Sequence, residues 1–586
     1  MGLSPGVHAT QLSAPPVYTV IVMMFLFVSQ LSLSALAGGG PANVLVMVNG
    51  EDAEAAEVAE HYESERSLPP NHRCEVFGID PSADEIPFVD YELHVLSALN
   101  DCLAILPQPD EIDILLLVRG LPYRVAIPGG FTASLEAMLQ VSNATRHTGE
   151  LVAGSDQEQS SGTYYATVRN PLWIGAGSES DFELSNPFMT HYTTASRIVN
   201  QEEQTRSFSR GTAERYWGID WESNLFLVSR LDGFDYADAF DLIDRGVAAD
   251  GHPPAAPIAC MAAADSARGA RDPECHFTIS MLDSAGIDAV WIEAHDPTLS
   301  GVELAGLMTG TTSLQNGIDG NTWVDGAFAA NLTSYGATPN NFRCSDEAVC
   351  PGSESQTSIA RFVRGGATFA HGTANEPLNN SFPGAGMYLL STMGYGAIES
   401  AFFTSKYLYW QSIYLGDPLS SPWAERPEVS INGTVWADTP VSIDASHTEG
   451  IRELRLYADG IRVDIDLALA DTIGASEGDT VQLLAVAIAE NPVLSRTGWP
   501  EPGQHPRPDI QGWTMADITV GPDQPIDPGS DTGDAEPTPK KAKATGCSTA
   551  PATLPFWAIS VLVVIGRLRI RWDPSESSSG GRSISF

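Results

Sequence analysis

Ile112–Val118 reads IDILLLV, a nearly unbroken apolar run with no alternation between apolar and polar positions. Successive side chains of a strand point to opposite faces, so a strand with one wet face alternates. A run like this one needs apolar cover on both faces. Asn43–Val48 (NVLVMV) has the same character, and Asp52–Ser67 reads as an amphipathic helix leading to a strand at Cys74–Ile79. Val89–Leu106 is helical by the spacing of Leu93, Val95, Leu96, Leu99 and Leu103. Further on come a strand at Leu225–Val228, a helix at Tyr236–Ala248, a helix near Phe277–Ser284 and a strand at Ala289–Glu293. Strands near Leu304–Thr309, Ala327–Thr333 and Ala367–His371 follow, then a helix from Ala397 to about Ser412. Strands and helices in turn predict an α/β fold with a mainly parallel, doubly wound sheet over residues 42–422. Glu136–Ser223 is poorer in this rhythm and reads as an insertion or as long loops.

Near Glu425 the rhythm changes. Glu428–Val435, Pro440–Ile443, Ile451–Ala458, Ile461–Ile465 and Val481–Ile488 are short alternating segments, with hairpin signals at Asn432-Gly433 and Asp459-Gly460. They predict a small all-β, immunoglobulin-like sandwich over residues 426–520. Residues 521–545, rich in Pro, Asp, Gly and Lys, read as a disordered linker.

Both ends of the chain point to export. Val17–Leu36 holds an apolar core before the small-x-small sequence Ala35-Leu36-Ala37, so residues 1–37 read as a signal peptide, although no Lys or Arg precedes the core. At the other end, Gly546-Cys547 is followed by the apolar run Pro551–Gly566 and by Arg567, Arg569 and Arg571. At about 1.5 Å per residue that run spans roughly 24 Å, short of a bilayer core of roughly 30 Å. Residues 546–571 resemble the sorting tails read by myxosortase-type processing enzymes, with Cys547 as the sorting or anchoring residue. The polar extension 572–586 beyond the arginines departs from that pattern, and an ordinary C-terminal anchor stays open. The expected partners are the membrane, through this tail, and an envelope processing protease. The expected location is the cell envelope, with the protein anchored at the surface.

Composition narrows the function classes. Asp and Glu number 74 against 31 Lys and Arg, a formal net charge of −43, which repels nucleic acid and anionic lipid. With Cys547 assigned to the tail, Cys74, Cys102, Cys260, Cys275, Cys344 and Cys350 remain, an even set in an exported chain. The short polar loop between Cys344 and Cys350 favours a local disulfide, and Cys74 with Cys102 and Cys260 with Cys275 are further candidate pairs. Their spacing suits no zinc site, and no cofactor motif accompanies them.

Chemistry in an open α/β sheet is expected where strands end. Arg119 follows Val118, while Arg230 and Asp232 follow Val228; His295-Asp296 follows Glu293. Ser334 closes the strand through Asn331, His371 and Glu376 come after Phe369, and Asp417 lies in a terminal Gly-Asp-Pro-Leu. Ser334 as nucleophile would need His371 as base and Glu376 to orient it, with His295 and Asp296 as a second acid–base pair. Arg119, Arg230, Asp232 and Asp417 are candidate ligand-binding residues, with a structural ion network as the competing reading.

The order of Arg119-Gly-Leu-Pro, Ser229-Arg-Leu-Asp-Gly, Thr333-Ser-Tyr-Gly-Ala, His371-Gly-Thr-Ala-Asn-Glu-Pro and Leu415-Gly-Asp-Pro-Leu resembles an uncharacterised family of exported bacterial proteins. More distantly, residues 42–422 resemble the caspase-like α/β domain of gingipain-type cysteine peptidases, which an immunoglobulin-like domain follows. That resemblance implies a His-Gly at one strand exit and a nucleophilic Cys at the next. Aligned by order, these positions fall near Thr309-Gly310-Thr311 and Thr333-Ser334, where neither residue stands. Two readings follow: a degenerate peptidase-like domain acting in binding or assembly, and a hydrolase of peptide or amide bonds using Ser334 and His371.

Overall fold

The computed structural model describes residues 39–127, 131–140, 168–169, 226–314, 318, 320–342, 356–376, 379–405, 407–408, 411–490 and 509–522. The proposed signal peptide, the sorting tail with Cys547, and the loop of Cys344 and Cys350 lie outside these residues. Among the described residues no helix is long and apolar enough to cross a membrane.

Ten strands form one sheet. In chain order they are β1 (Val44–Asn49), β2 (Arg73–Val76), β3 (Ile114–Val118), β4 (Leu227–Leu231), β5 (Ile258–Met261), β6 (Ala289–Ile292), β7 (Glu303–Thr309), β8 (Thr322–Asn331), β9 (Phe369–Thr373) and β10 (Ser412–Gly416). Across the sheet the order is β6-β5-β7-β8-β9-β10-β4-β3-β1-β2. Parallel pairs join β2, β1, β3 and β4 on one side. They also join β6, β5, β7, β8 and β9 on the other. β10 runs antiparallel to β9 and meets β4 where Leu415 stands opposite Arg230. The apolar runs behave as two-sided cover requires: β1, β3 and β4 are buried at every position.

The principal helices are α1 (Ala53–Arg66), α2 (Ser97–Ile105), α3 (Tyr236–Ala249), α4 (Asp272–Ser284), α5 (Ile359–Arg364), α6 (Gly386–Thr392) and α7 (Ala397–Thr404). Asp52 caps α1 by accepting from the N–H groups of Glu54 and Ala55. The helix expected across residues 89–106 is present and runs without interruption from Phe88 to Ile105, with Tyr91–Leu96 wound as a π-helical segment ahead of α2. A disulfide joins Cys74 on β2 to Cys102 on α2.

Several elements differ from the sequence expectation. β5 was not expected, because a four-residue run after Pro257 is too short to show a period. The helix expected to continue to Ser412 stops at Thr404, and pairing with β9 makes the following segment β10. β4 extends to Leu231, so Arg230 lies inside the strand rather than in the loop after it. Cys260 and Cys275 are free buried thiols rather than a disulfide.

The C-terminal region contains a two-stranded antiparallel sheet, β11 (Glu428–Ile431) with β12 (Ile443–Ser446). A four-stranded antiparallel sheet comprises β13 (Glu453–Ala458), β14 (Ile461–Val463), β15 (Thr480–Glu490) and β16 (Asp509–Thr519), in the order β14-β13-β15-β16. Asp459 and Gly460 take positive φ values of 49° and 77°, as a tight hairpin turn between β13 and β14 requires. Asn432-Gly433 closes no such hairpin, since β12 begins only at Ile443. Val435, Leu456, Leu483 and Val520 belong to a separate apolar cluster in this region. Polar contacts tie it to the large sheet's domain: Tyr457 and Arg462 donate to Glu111 at 2.6 and 2.8 Å, and Arg426 donates to Asp250 at 3.2 Å.

Candidate functional site

Several strand exits meet. The Tyr123 ring, after β3, packs 4.7 Å from that of Phe342, after β8, and Arg124 donates to the carbonyl of Ala374, after β9. Ser134 donates to the carbonyl of Ser412 at the start of β10.

Arg119, Arg230 and Asp232 are brought together. Arg230 is completely buried; its Nε donates to Glu136 at 2.6 Å and its remaining nitrogens to the carbonyls of Leu121 and Pro122. Its guanidinium lies over the Tyr123 ring at 5.0 Å. Arg119 donates to Asp232 and to the carbonyl of Gly233, both at 2.7 Å. Burial pushes the Glu136 carboxyl up, and the adjoining Arg230 pulls against that rise. These contacts make an internal network that fixes the exit loops of β3 and β4. Asp417 stands apart from it. Fully buried, it accepts from Tyr62 and Arg66 of α1 and from the N–H of Leu419.

Ser334, His371 and Glu376 are only partly brought together. The Ser334 hydroxyl donates to Glu376 Oε1 at 3.1 Å, and both side chains are partly exposed. His371 bonds elsewhere: its Nε2 lies 3.1 Å from the hydroxyl of Ser412. That hydroxyl lies 3.3 Å from the Ser381 carbonyl, which can only accept, so Ser412 donates to Ser381 and His371 Nε2 carries a proton toward Ser412. The imidazole is then a donor in a buried chain, wedged against Phe382 and Tyr414, and not a base aimed at Ser334. Its Nδ1 is buried without a hydrogen-bond partner. Burial, reinforced by the nearby Arg271 cation, holds the ring well below the usual histidine range. His295 is also separate: it contacts the Ala262 carbonyl at 3.2 Å, while the Asp296 carboxylate is taken up by Thr298.

A further buried cation at these exits escaped the sequence reading. Arg271, immediately before α4, is buried and reaches the end of two strands: NH2 donates to the carbonyls of Thr309 and Ala330, and NH1 to that of Pro383. The segment before it lies so close to the β7 exit that a Cβ on Gly310 would sit 2.6 Å from the Arg268 carbonyl oxygen. Where the resemblance implies a catalytic His-Gly, the chain instead packs Arg268–Arg271. Around Arg271 lie Cys260, Cys275, Tyr388 and Glu274. Burial raises the Cys260 thiol well above its ordinary range, with Cys275 as its hydrogen-bond neighbour. Burial also pushes the Glu274 carboxyl up to about 7, against the N–H groups of Ala385 and Gly386 and the pull of Arg271. The signal for this cluster was Pro273, which marks a helix starting at Asp272 and so an arginine at its entrance. Among the described residues no group of three or more His, Cys, Asp or Glu is placed to hold a metal ion.

No protein-family model and no curated protein matches the chain. Among solved structures, one titled "Structure of Protease" resembles it at 9% identity and a TM-score of 0.38, covering 82% of this chain and 97% of that one. A likeness that loose carries no argument about this chain's chemistry.

Proposed function

We propose that this chain is an exported protein, anchored at the cell surface through its C-terminal tail, whose large α/β domain is catalytically degenerate and acts in binding or assembly at the envelope. The observation that carries the degenerate reading is the hydrogen bonding of His371, whose protonated Nε2 donates to Ser412 and so offers no lone pair to accept from Ser334. Export and anchoring rest on the apolar segment before Ala37 and on the Cys547 tail. The immunoglobulin-like description of the C-terminal sheets rests on their size and antiparallel pairing. The test is labelling of the mature protein with a fluorophosphonate probe, which reacts with activated serines. No labelling is expected. Mass spectrometry of the cell-derived product should place its N-terminus just after Ala37 and its C-terminus near Cys547; an intact chain through Phe586 would remove the processing claim.

One observation favours a hydrolase: the Ser334 hydroxyl has a carboxylate within hydrogen-bond range. In that reading Glu376, rather than His371, takes the proton as Ser334 attacks a peptide or amide carbonyl. Probe labelling that disappears in both Ser334→Ala and Glu376→Gln would establish this reading and end the degenerate one.

A further inference from the structure

The two edges of the ten-stranded sheet differ in their protection. At one edge, the carbonyls of His72 and Val76 accept from Val46 of β1 and from Gly50 just after it, so the alternate residues Arg73 and Glu75 of β2 turn their backbone groups outward. Both are charged, and Arg73 is held by Glu63 at 2.6 Å, the kind of device that discourages another strand from adding. At the opposite edge, the carbonyls of Asp288 and Ile292 accept from Ile258 of β5 and from Ala262 just after it. The alternate residues Ala289 and Trp291 of β6 therefore present their N–H and C=O groups away from the sheet. This edge has no lysine, no proline and no bulge. Val290 is 41% exposed, and Trp291 stacks on His276 with ring centroids 3.8 Å apart. Among the described residues nothing pairs with β6 on its outer side.

The charged residues flanking β6 along the chain have one sign. Asp288 and Glu293 flank β6 and are exposed, Asp283 is exposed on α4, which precedes it, and no Lys or Arg occurs from Asp272 to Phe342. Another copy of the chain would bring the same acidic edge and a net charge of −43, so self-pairing is opposed electrostatically.

We propose that β6 is an acceptor edge for an extended segment of a different protein bearing Lys or Arg side chains, which adds as a further strand. Backbone hydrogen bonds to Ala289 and Trp291 supply the pairing, and Asp288 and Glu293 select for basic side chains. This goes beyond the binding reading above and does not depend on it, since serine-probe labelling would leave it standing.

The probe is a short alternating Lys–Val peptide, with an alternating Glu–Val peptide as its counterpart. Both are added to the mature full-length protein, and amide hydrogen exchange over residues 286–294 is read alongside binding. The Lys–Val peptide should slow exchange in this segment, more at low salt than at high, and the Glu–Val peptide should not. Ala289→Pro removes an outward N–H while sparing the ladder to β5, and should weaken binding by about tenfold or more. Glu293→Lys, which leaves the backbone unchanged, should weaken the Lys–Val peptide and improve the Glu–Val peptide. Circular dichroism of both variants verifies that they are folded. Equal binding of the two peptides, no exchange protection over 286–294, or binding indifferent to both substitutions would overturn the proposal. Protection of this segment by self-association without peptide would do so as well.

Discussion

Asp417 is the residue whose replacement separates a structural role from a ligand-binding one. Its Oδ1 accepts from the Tyr62 hydroxyl at 3.0 Å and the Leu419 N–H at 2.9 Å. Its Oδ2 accepts from Arg66 Nε at 2.7 Å and from Arg66 NH2. In Asp417→Asn the amide nitrogen must face either Arg66 or the pair formed by Tyr62 and Leu419, so donor meets donor in both orientations. Arg66 would keep Asp250, at 2.5 Å, as its remaining partner. Breaking one side of a buried ion pair costs about 3–5 kcal/mol, and the retained Asp250 contact places this case near 3 kcal/mol. That is a large share of a typical folding stability of about 5–15 kcal/mol. Urea unfolding of the mature protein, followed by circular dichroism, should show the midpoint fall accordingly. The double variant Asp417→Asn with Arg66→Met should lose less than the sum of the single losses, because it leaves no stranded guanidinium. A single-variant loss below about 1 kcal/mol, or strict additivity in the double variant, would refute the ion-pair account.

Glu274 sets a pH dependence. Its folded carboxyl, near 7, lies above the unfolded value, so the folded state holds a proton that the unfolded state has lost. Its contribution is therefore fully favourable below about pH 4.3 and is lost as pH rises to 7, by about 3 kcal/mol; Glu274→Gln should flatten that slope in urea titrations at stepped pH. Asp250 has the opposite sign: Arg426 and Arg66 overcome its burial and hold it below the usual carboxylate range, so its contribution is present above the unfolded pKa and lost in acid. Asp250→Asn should reduce the loss of stability on acidification below about pH 4 in the same titrations. Reducing the Cys74–Cys102 disulfide, which closes a separation of 28 residues, should cost about 3.5 kcal/mol, and Cys102→Ser should reproduce that loss without reductant. Ser412→Ala would leave His371 Nε2–H without its acceptor and should lower stability by about 1–3 kcal/mol; no loss would mean that the buried chain is not as drawn.

The apolar runs were legible because burial on both faces leaves a mark in composition: β1 and β3 need no long-range information to be recognised. Side-chain pairing is different, because it depends on which strands become neighbours. Arg230 illustrates this. Its place near the end of β4 was evident to within a few residues, but its partner Glu136 lies 94 residues away in sequence, before a stretch with little periodic signal.

His371 shows the same limit with greater consequence. A histidine one strand along from Ser334 satisfies a sequence criterion for a nucleophile and its base, and the two strands are indeed adjacent in the sheet. What decides the outcome is β10, the strand read as the end of a helix. By pairing antiparallel with β9 it sets Tyr414 opposite His371 and Ser412 opposite Thr373, so a hydroxyl from the far side reaches the imidazole. On β8, Ala330 stands opposite His371 and lends its carbonyl to Arg271, which places a cation where it disfavours imidazolium. An assembled Ser334–His371 pair would require the imidazole to leave both neighbours. The strand exits that could hold a nucleophile and a base are thus linked to the interior of the fold by their own hydrogen bonds.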